Sequence, residues 1–291
     1  MGIEADIYEW LRFKVKDESK FDINLLRQYI LKVRLASSQL EIAVIDSDNS
    51  IALLYELYEF ESCKSVLHLQ QVLQEFWKQH HCINAGFWKE VIICIVDTNF
   101  VILPAYFYEA DTLLAFLRLN TPYDMELHHI FEHKNAFLNL KCVFYVDEQI
   151  STWFRNVYPE HIVSWQHATM SFINQLTNNQ HHTFERCIHV EIYAHFFIVV
   201  IFQQNSLLFC NAFTYHDSNT FLYFLLLVVD ELELTTRYTR LVLYGNFSEY
   251  GALYRKVKAY FRQVDWAERP KSIAFSRVFD EIPEYMGYGL F

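Results

Sequence analysis

The chain has 291 residues and a formal net charge of −11, with 24 Lys plus Arg against 35 Asp plus Glu. Nucleic-acid binders usually present a basic face, so this balance argues against a nucleic-acid partner. The apolar fraction of 53% and the aromatic fraction of 18% exclude an intrinsically disordered chain and allow two domains with aromatic cores.

Strand and helix signals alternate through the first 180 residues, following the apolar periodicity of two for strands and 3.6 for helices. The predicted elements are strands at 29–35, 39–46 and 51–60, a helix at 65–80, strands at 90–97 and 100–107, a short helix at 109–119, a polar, His-rich crossing at 120–135, a strand at 140–149, a helix at 151–157, a strand at 161–166 and a helix at 168–177.

The segment TNNQHHT, residues 177–183, is the most polar break in the middle of the chain. We therefore predict an N-terminal domain of residues 1–180, which includes an insertion, and a C-terminal domain of residues 181–291. The second domain is predicted to contain strands at 187–193, 196–203 and 206–214, a helix at 217–232, a strand at 240–244, a helix beginning near 251 and a short strand near 263. The residues after this strand are expected to pack as an irregular arm.

No targeting or membrane segment is evident in the sequence. Residues 1–20 lack the apolar core of a signal peptide. The longest apolar run, at 221–229, has nine residues, whereas a spanning helix needs about 18. We therefore expect a cytoplasmic protein with no membrane span.

The two halves share a pattern that indicates an internal duplication. Residues 32–57 and 189–213 match with one single-residue gap, and in both halves a three-strand meander is followed by a helix and a buried strand. The matched pairs are Val33 with Val190, Leu35 with Ile192, Asn49 with Asn205, Ser50 with Ser206 and Leu57 with Phe213.

Two copies of a β-β-β-α-β-α-β-α order resemble the actin-like ATPase fold, a duplicated ribonuclease H-like α/β fold found in actin, sugar kinases, Hsp70 and pilus-assembly ATPase-like proteins. The chain is also similar to a bacterial family of uncharacterised proteins with that fold. The segments that carry this similarity are VILPAYF (101–107), SLLFCNAFTYHDSNTFLYFLLLVVDEL (206–232) and LVLYGNFSEYGALYRKV (241–257). The resemblance covers most of residues 25–265. It implies two domains around a cleft and brings no known activity.

In the ATPase members of this fold, each half carries a D-x-G phosphate loop, where the glycine lets backbone N–H groups approach the phosphate. The resemblance places Arg34 and Ala36 at the Asp and Gly positions of the first loop, and Glu191 and Tyr193 at those of the second. A tyrosine ring would occupy the space where phosphates need bare backbone. Both loops are therefore predicted to be broken.

The adenosine segment of the fold is better kept. In the fold, this segment is a strand, a pair of glycines and a helix N-terminus. Here Gly245 keeps the first glycine of the pair, Asn246 replaces the second, and Gly251 is also retained. Asparagine tolerates left-handed backbone, so we expect the turn to survive. Because the chain has only six glycines, no other phosphate cradle of the G-x-x-x-x-G-K or G-x-G-x-x-G kind is available.

The candidate cleft residues follow from this fold. Arg34 could bind an anion there, and Glu191 could hold a metal ion. Strand alternation alone also explains both polar side chains, which would then face solvent or pair across the cleft. The full candidate set is Arg34, Ser37, Ser38, Glu191, His195, Gly245, Asn246 and Gly251.

The sequence indicates no other catalytic or metal-binding arrangement. The six cysteines form no C-x-x-C pair and lie mostly in apolar runs, which favours reduced, buried thiols over zinc ligands or disulfides. His129 and His133 lack the Glu of an H-E-x-x-H motif. The histidine pairs at 80–81, 128–129 and 181–182 are predicted to lie at the surface or at an interface.

Two functions remain open from the sequence. The first is a non-catalytic binding or assembly protein that uses a degenerate actin-like ATPase scaffold to bind protein partners, with no cofactor. It rests on the missing D-x-G motifs and on the aromatic excess, since aromatic residues are enriched at interfaces. The alternative is a nucleotide-binding protein or weak ATPase or kinase, with Glu191 holding magnesium for ATP and Gly245 flanking the adenine. Its support is the retained glycine turn alone.

Overall fold

The computed structural model describes residues 6–107, 110–159, 162–179, 187–246 and 251–291. The strands are β1 (Leu11–Lys16), β2 (Tyr29–Leu35), β3 (Gln39–Asp46), β4 (Ile51–Glu59), β5 (Glu90–Ile95), β6 (Phe100–Pro104), β7 (His128–Asn135), β8 (Leu140–Asp147), β9 (Val163–His167), β10 (Cys187–Ile192), β11 (Phe196–Gln203), β12 (Ser206–Thr214), β13 (Arg240–Gly245) and β14 (Gln263–Trp266). The helices are α1 (Val66–Gln79), α2 (Ala110–Asn120), α3 (Glu148–Val157), α4 (Ala168–Asn178), α5 (Ser218–Glu231) and α6 (Ala252–Tyr260). Short 3-10 helices lie at Ile7–Glu9, Ile23–Gln28 and Arg277–Glu281.

Two large mixed sheets carry the architecture. Their strand orders are β1-β4-β3-β2-β5-β9 and β12-β11-β10-β13-β14. In each sheet, an antiparallel three-strand meander joins a parallel strand that follows the first helix, since β2 pairs with β5 and β10 pairs with β13. The same order in both sheets confirms the duplicated β-β-β-α-β plan that the sequence predicts.

The central strands are apolar along most of their length because both faces are covered. Every residue of β10 is buried, and so are all residues of β3 and β4 except those at the strand ends. Phe76 of α1 and Phe172 of α4 belong to a core cluster that includes residues of both large sheets, and Phe221 and Leu225 of α5 belong to the core of the second sheet. Crossing a bilayer would demand a longer and more apolar helix than any in the described residues.

A separate three-stranded sheet, in the order β6-β8-β7, is inserted between β5 and β9. The prediction of a polar crossing at 120–135 is wrong here, because His128–Asn135 forms β7 and pairs residue for residue with β8. β7 lies at the edge of its sheet, and all of its residues except Asn135 are at least partly exposed. The polar composition of an edge strand therefore concealed its extended structure.

The N-terminal strand β1 was not predicted, although its sequence LRFKVK alternates strictly between apolar and basic residues. It pairs antiparallel with β4, and Lys14 Nζ lies 2.8 Å from Oε1 of the buried Glu56. The predicted domain boundary between residues 180 and 181 falls outside the described residues, as does the pair His181 and His182. The boundary therefore stays a prediction.

The C-terminal segment is irregular, as expected, but it lies in the interior. Every residue from 285 to 291 is buried. The ring of Tyr288 meets that of Tyr244 on β13 at 4.6 Å, and the ring of Phe291 meets that of Tyr55 on β4 at 5.7 Å between centroids. Because β13 and β4 belong to different sheets, this segment joins the two halves of the molecule.

Candidate functional site

A buried ion pair joins the two halves at the positions where the phosphate-loop carboxylates were sought. Arg34 is the next-to-last residue of β2, and Glu191 is the next-to-last residue of β10. Arg34 Nη2 lies 3.0 Å from Glu191 Oε1, and the two side chains are 3% and 0% exposed. Of the two arrangements that strand alternation allowed, solvent exposure or pairing across the cleft, the structure shows the pairing.

Further polar groups surround the guanidinium of Arg34. Glu41 lies opposite Arg34 in the β2–β3 pair, with Oε1 at 3.5 Å from Nη1. The hydroxyl of Tyr55 donates to Glu41 Oε2 at 2.8 Å. The ring centre of Tyr193 is 5.8 Å from the guanidinium carbon, within the range of a cation–π contact. One buried cation is therefore shared by two carboxylates and an aromatic face.

Burial and the neighbouring charges act in opposite directions on this pair. Desolvation raises the pKa of Glu191 above its usual value, although Arg34 opposes the shift. Desolvation also works against the charged guanidinium, but the groups around it, including Glu191 and Glu41, hold the pKa of Arg34 well above its usual value. Arg34 is therefore charged, and its charge opposes the protonation of Glu191 that burial favours.

The C-terminal segment packs directly on the ion pair. A Cβ atom placed on Gly289 would collide with Arg34 Nη2. The remaining space beside Arg34 is a cavity of about 10 Å³, which holds about one water molecule. This cavity is lined by Arg34, Gln39, Glu41, Tyr55, Ile192, Tyr193, Gly245, Asn246 and Gly287. Protein groups thus fill the surroundings of the pair almost completely.

Gly245 makes structural contacts at the end of β13. Its φ is +102°, a backbone conformation that residues other than glycine rarely adopt. A Cβ at this position would collide with the carbonyl oxygen of Ile192. Its N–H donates to the carbonyl of Tyr285 at 2.9 Å. Next to it, Asn246 Nδ2 donates to Glu59 Oε1 on β4 at 2.8 Å and links the two halves.

We predict that Gly245→Ala lowers the free energy of unfolding by at least about 1–3 kcal/mol, because backbone strain and the collision with Ile192 act together. Gly86→Ala is the matched control. A Cβ at Gly86 meets no atom within 4 Å, so this change should be neutral or stabilising by up to about 1 kcal/mol. Urea denaturation of both variants measures the difference, and equal stabilities would contradict the structural role of Gly245.

The other candidate residues lie near the turns of the two halves. Ser37 is exposed and Ser38 is half-buried in the turn between β2 and β3, and their carbonyl groups accept the N–H groups of Cys63 and Phe60. His195 is exposed in the turn between β10 and β11. Gly251 is the N-cap of α6 with an ordinary φ of −68°; residues 247–250 before it are outside the described part.

An open cavity of about 470 Å³ lies beside these turns. Ser37 and His195 line it, whereas Ser38, Gly251 and the Arg34–Glu191 pair do not. Its lining residues are Leu35, Ala36, Ser37, Val66, Leu69, Ile95, Val96, Asp97, Thr98, Asn99, His128, Tyr145, Val146, Asp147, Ile150, His195, Phe196 and Thr214. Within the described residues this lining contains no Lys or Arg, so it offers no permanent positive charge to an anion.

Asp97, Thr98 and Asn99 lie just after β5, separated from it by Val96, and the sequence analysis did not identify them. Asp97 Oδ1 lies 3.2 Å from His167 Nε2 and accepts the N–H of Asn99 at 2.7 Å. The cluster stands at the carboxyl end of a parallel strand, where ligands of α/β proteins commonly bind. Polar residues directly after the buried run EVIICIV were the signal that could have identified it.

The prediction of surface histidines is wrong for His80. It is buried, and its Nε2 lies 2.7 Å from Glu56 Oε2. Desolvation alone would raise the pKa of Glu56, but hydrogen bonds from His80 and Lys14 lower this pKa to about 2. The buried carboxylate needs such partners, and this requirement explains the placement of His80.

The described residues contain no group of three or more His, Cys, Asp or Glu side chains that could hold a metal ion. The six cysteines are free. Desolvation raises the pKa of Cys63 and of Cys82 to about 11, which disfavours a reactive thiolate. Desolvation also lowers the pKa of His133 on β7 to about 4, so this ring is neutral at pH 7.

Comparison with known proteins identifies the fold. A family model described as "Protein of unknown function (DUF3822)" matches residues 18–264. A Bacteroides thetaiotaomicron protein with an actin-like ATPase fold and unknown function is 19% identical, with a TM-score of 0.74 over 85% of this chain and 93% of its own. A chain of the PilM-PilN type IV pilus biogenesis complex is 10% identical, with a TM-score of 0.57 over 91% of this chain and 97% of its own. No curated protein sequence matches significantly. The similarities confirm the predicted actin-like ATPase fold.

Proposed function

The chain belongs to the DUF3822 family of unknown function, and we propose that it is a non-catalytic binding or assembly protein on an actin-like ATPase fold that has lost its phosphate loops. The ion pair between Arg34 and Glu191 is the observation that carries this proposal. The occurrence of the similar PilM fold in a complex with PilN supports a protein partner.

The ion pair engages Glu191, the carboxylate that the nucleotide-binding alternative assigns to magnesium. Magnesium is usually held by one or two carboxylates together with the phosphates of the substrate. A magnesium ion at Glu191 would bring a second cation beside Arg34, and breaking the buried pair to avoid this costs about 3–5 kcal/mol. The buried side chain of Tyr193 further occupies the position that the resemblance assigns to a glycine.

The charge of the open cavity also disfavours ATP. Its described lining includes the carboxylates of Asp97 and Asp147 but no Lys or Arg side chain. A triphosphate would enter such a cavity without charge compensation, whereas phosphate sites normally offer Lys, Arg or converging backbone N–H groups. The cavity therefore supports a neutral ligand better than a nucleotide.

Calorimetric titration with MgATP and MgADP tests the proposal. We expect no saturable binding, that is, a Kd weaker than about 1 mM for both nucleotides. Ser37→Trp fills the open cavity from an exposed position, and Ser206→Trp, on an exposed residue outside that cavity, is the matched control. Micromolar binding that Ser37→Trp removes and Ser206→Trp retains would overturn the proposal in favour of a nucleotide-binding protein.

A further inference from the structure

Two sheet edges face each other across a groove. β6 is an edge strand of the three-stranded sheet, and β12 is an edge strand of the second large sheet. Residues of both strands line one groove of about 550 Å³, together with Phe116 and Asn120 of α2. Edge strands present unpaired backbone N–H and C=O groups, which are a template for a further strand.

Most of the other described edge strands carry charged side chains, whereas β6 and β12 carry none. Proteins guard exposed edges with charged side chains, especially lysine. The guarding residues are Arg12, Lys14 and Lys16 on β1, Glu132 and Lys134 on β7, and Asp265 on β14. β9 is covered by β7, through Trp165 stacked on Phe131 at 4.9 Å. In contrast, β6 (FVILP) and β12 (SLLFCNAFT) contain no charged residue.

The side chains of β6 anchor the strand beside the groove. Val101 and Leu103 are buried in the core of the inserted sheet, which fixes the strand, and both residues also line the groove. On β12, the N–H of Ala212 donates to Oδ1 of its neighbour Asn211 at 2.9 Å. The side-chain carbonyl of Asn211 thus accepts the N–H that would donate to a backbone carbonyl of an incoming strand.

We propose that the groove between β6 and β12 binds an extended, uncharged segment of another protein, which adds as a strand to both edges. β6 has five residues, or about 16 Å at 3.3 Å per residue, and this length sets the size of the segment. Main-chain hydrogen bonds supply affinity in such strand addition, and side chains at alternate positions supply specificity. No charged residue lines the groove in the described part of the chain, so the segment carries no charge there.

A second copy of this chain fits the groove less well than another protein. Apart from β6 and β12 themselves, the described edge strands carry charged side chains or are already covered. The groove defines which class of partner the proposed function would involve. The inference rests on the proposed function because it requires a protein partner. The groove and the open cavity share Thr98 and Thr214, whereas Asn211 and Ala212 line the groove alone.

A phage-displayed library of random heptapeptides, selected on the full chain, provides the probe. We expect uncharged sequences with β-branched or aromatic residues at alternate positions. The best peptide, made synthetically, should bind at least about tenfold more weakly to Asn211→Lys, which puts a charge in the groove. Ser206→Lys is the matched control, because Ser206 is an exposed residue of the same strand outside the groove, and it should leave the Kd unchanged.

Two further measurements separate strand addition from side-chain binding. Ala212→Pro removes the N–H that faces Asn211, and proline is tolerated on edge strands, so the variant should fold but bind at least about tenfold more weakly. N-methylation of the peptide backbone should weaken binding at every interior position, because successive N–H groups pair alternately with β6 and β12.

Several results would overturn the inference. If Asn211→Lys weakens the binding of none of the selected peptides, the groove is excluded as a peptide site. Loss at alternate peptide positions alone would show pairing with a single edge, and loss at none would show binding through side chains. Self-association of the chain that Asn211→Lys abolishes would assign the groove to a second copy. A positive MgATP titration alongside peptide binding would contradict only the proposed function.

Discussion

Arg34→Met is expected to lower the free energy of unfolding at pH 7 by about 3–5 kcal/mol, because it leaves the fully buried carboxylate of Glu191 without its cation. Urea denaturation measures the change. Arg12→Met is the matched control, since Arg12 pairs with Glu59 at 3.2 Å where both side chains are more than 40% exposed. Removing an exposed pair of this kind costs less than about 1 kcal/mol. A loss in Arg34→Met no larger than that in the control would contradict the role of the buried pair.

The double variant Arg34→Met/Glu191→Met should recover part of the lost stability, since no unpaired charge remains at position 191. The recovery is expected to be incomplete. Glu41 keeps the hydrogen bonds that Tyr55 and Gln39 donate, but it loses the cation 3.5 Å away. A double variant as unstable as the sum of the two single variants would show that the two residues do not act as a pair.

The loss of stability in Arg34→Met should increase as pH rises. This direction is opposite to that of ordinary acid denaturation, in which stability falls as pH falls. Desolvation already raises the pKa of Glu191 above the ordinary glutamate value of 4.5, and the variant removes the opposing effect of Arg34. When the folded pKa exceeds the unfolded pKa, the native state binds more protons, and stability falls as pH rises above the unfolded pKa. The difference between variant and wild type should therefore grow as pH rises above the folded-state pKa that Glu191 has in the wild type, and a pH-independent difference would contradict this expectation.

Phe291→Ala is expected to destabilise the protein by about 3–5 kcal/mol, the usual cost of truncating a buried phenylalanine. Its ring is 3% exposed and packs at 5.7 Å from Tyr55, 5.0 Å from Phe275 and 6.1 Å from Phe279. Truncation opens a cavity where the C-terminal segment meets the first sheet.

Phe87→Ala is the control for this truncation, because Phe87 is 52% exposed and its removal should change stability by no more than about 0.5 kcal/mol. Thermal or urea unfolding compares the two variants. Equal losses would show that the C-terminal segment does not hold the fold together.

The sequence predicted the elements of the two large sheets well. β2, β3 and β4 begin where apolar runs begin and end at polar turns, and their bounds differ from the predicted ones by at most one residue. Strands buried on both faces leave a continuous apolar signal, so they are easily identified. β1 and β7 were missed because each lies at a sheet edge, where one side is solvated and polar residues are frequent.

The sequence by itself predicted the duplicated fold, and the resemblance to that fold assigned positions 34 and 191 to its phosphate-loop carboxylates. Apolar periodicity is local, and each half contains its own copy of the signal. Only the tertiary structure decided what the two side chains do, because they are 157 residues apart and no local pattern relates them. Whether a polar residue at a strand end meets solvent or a charge depends on how the sheets and the C-terminal segment pack. That packing encloses Arg34 and Glu191 together, where desolvation requires each to neutralise the other.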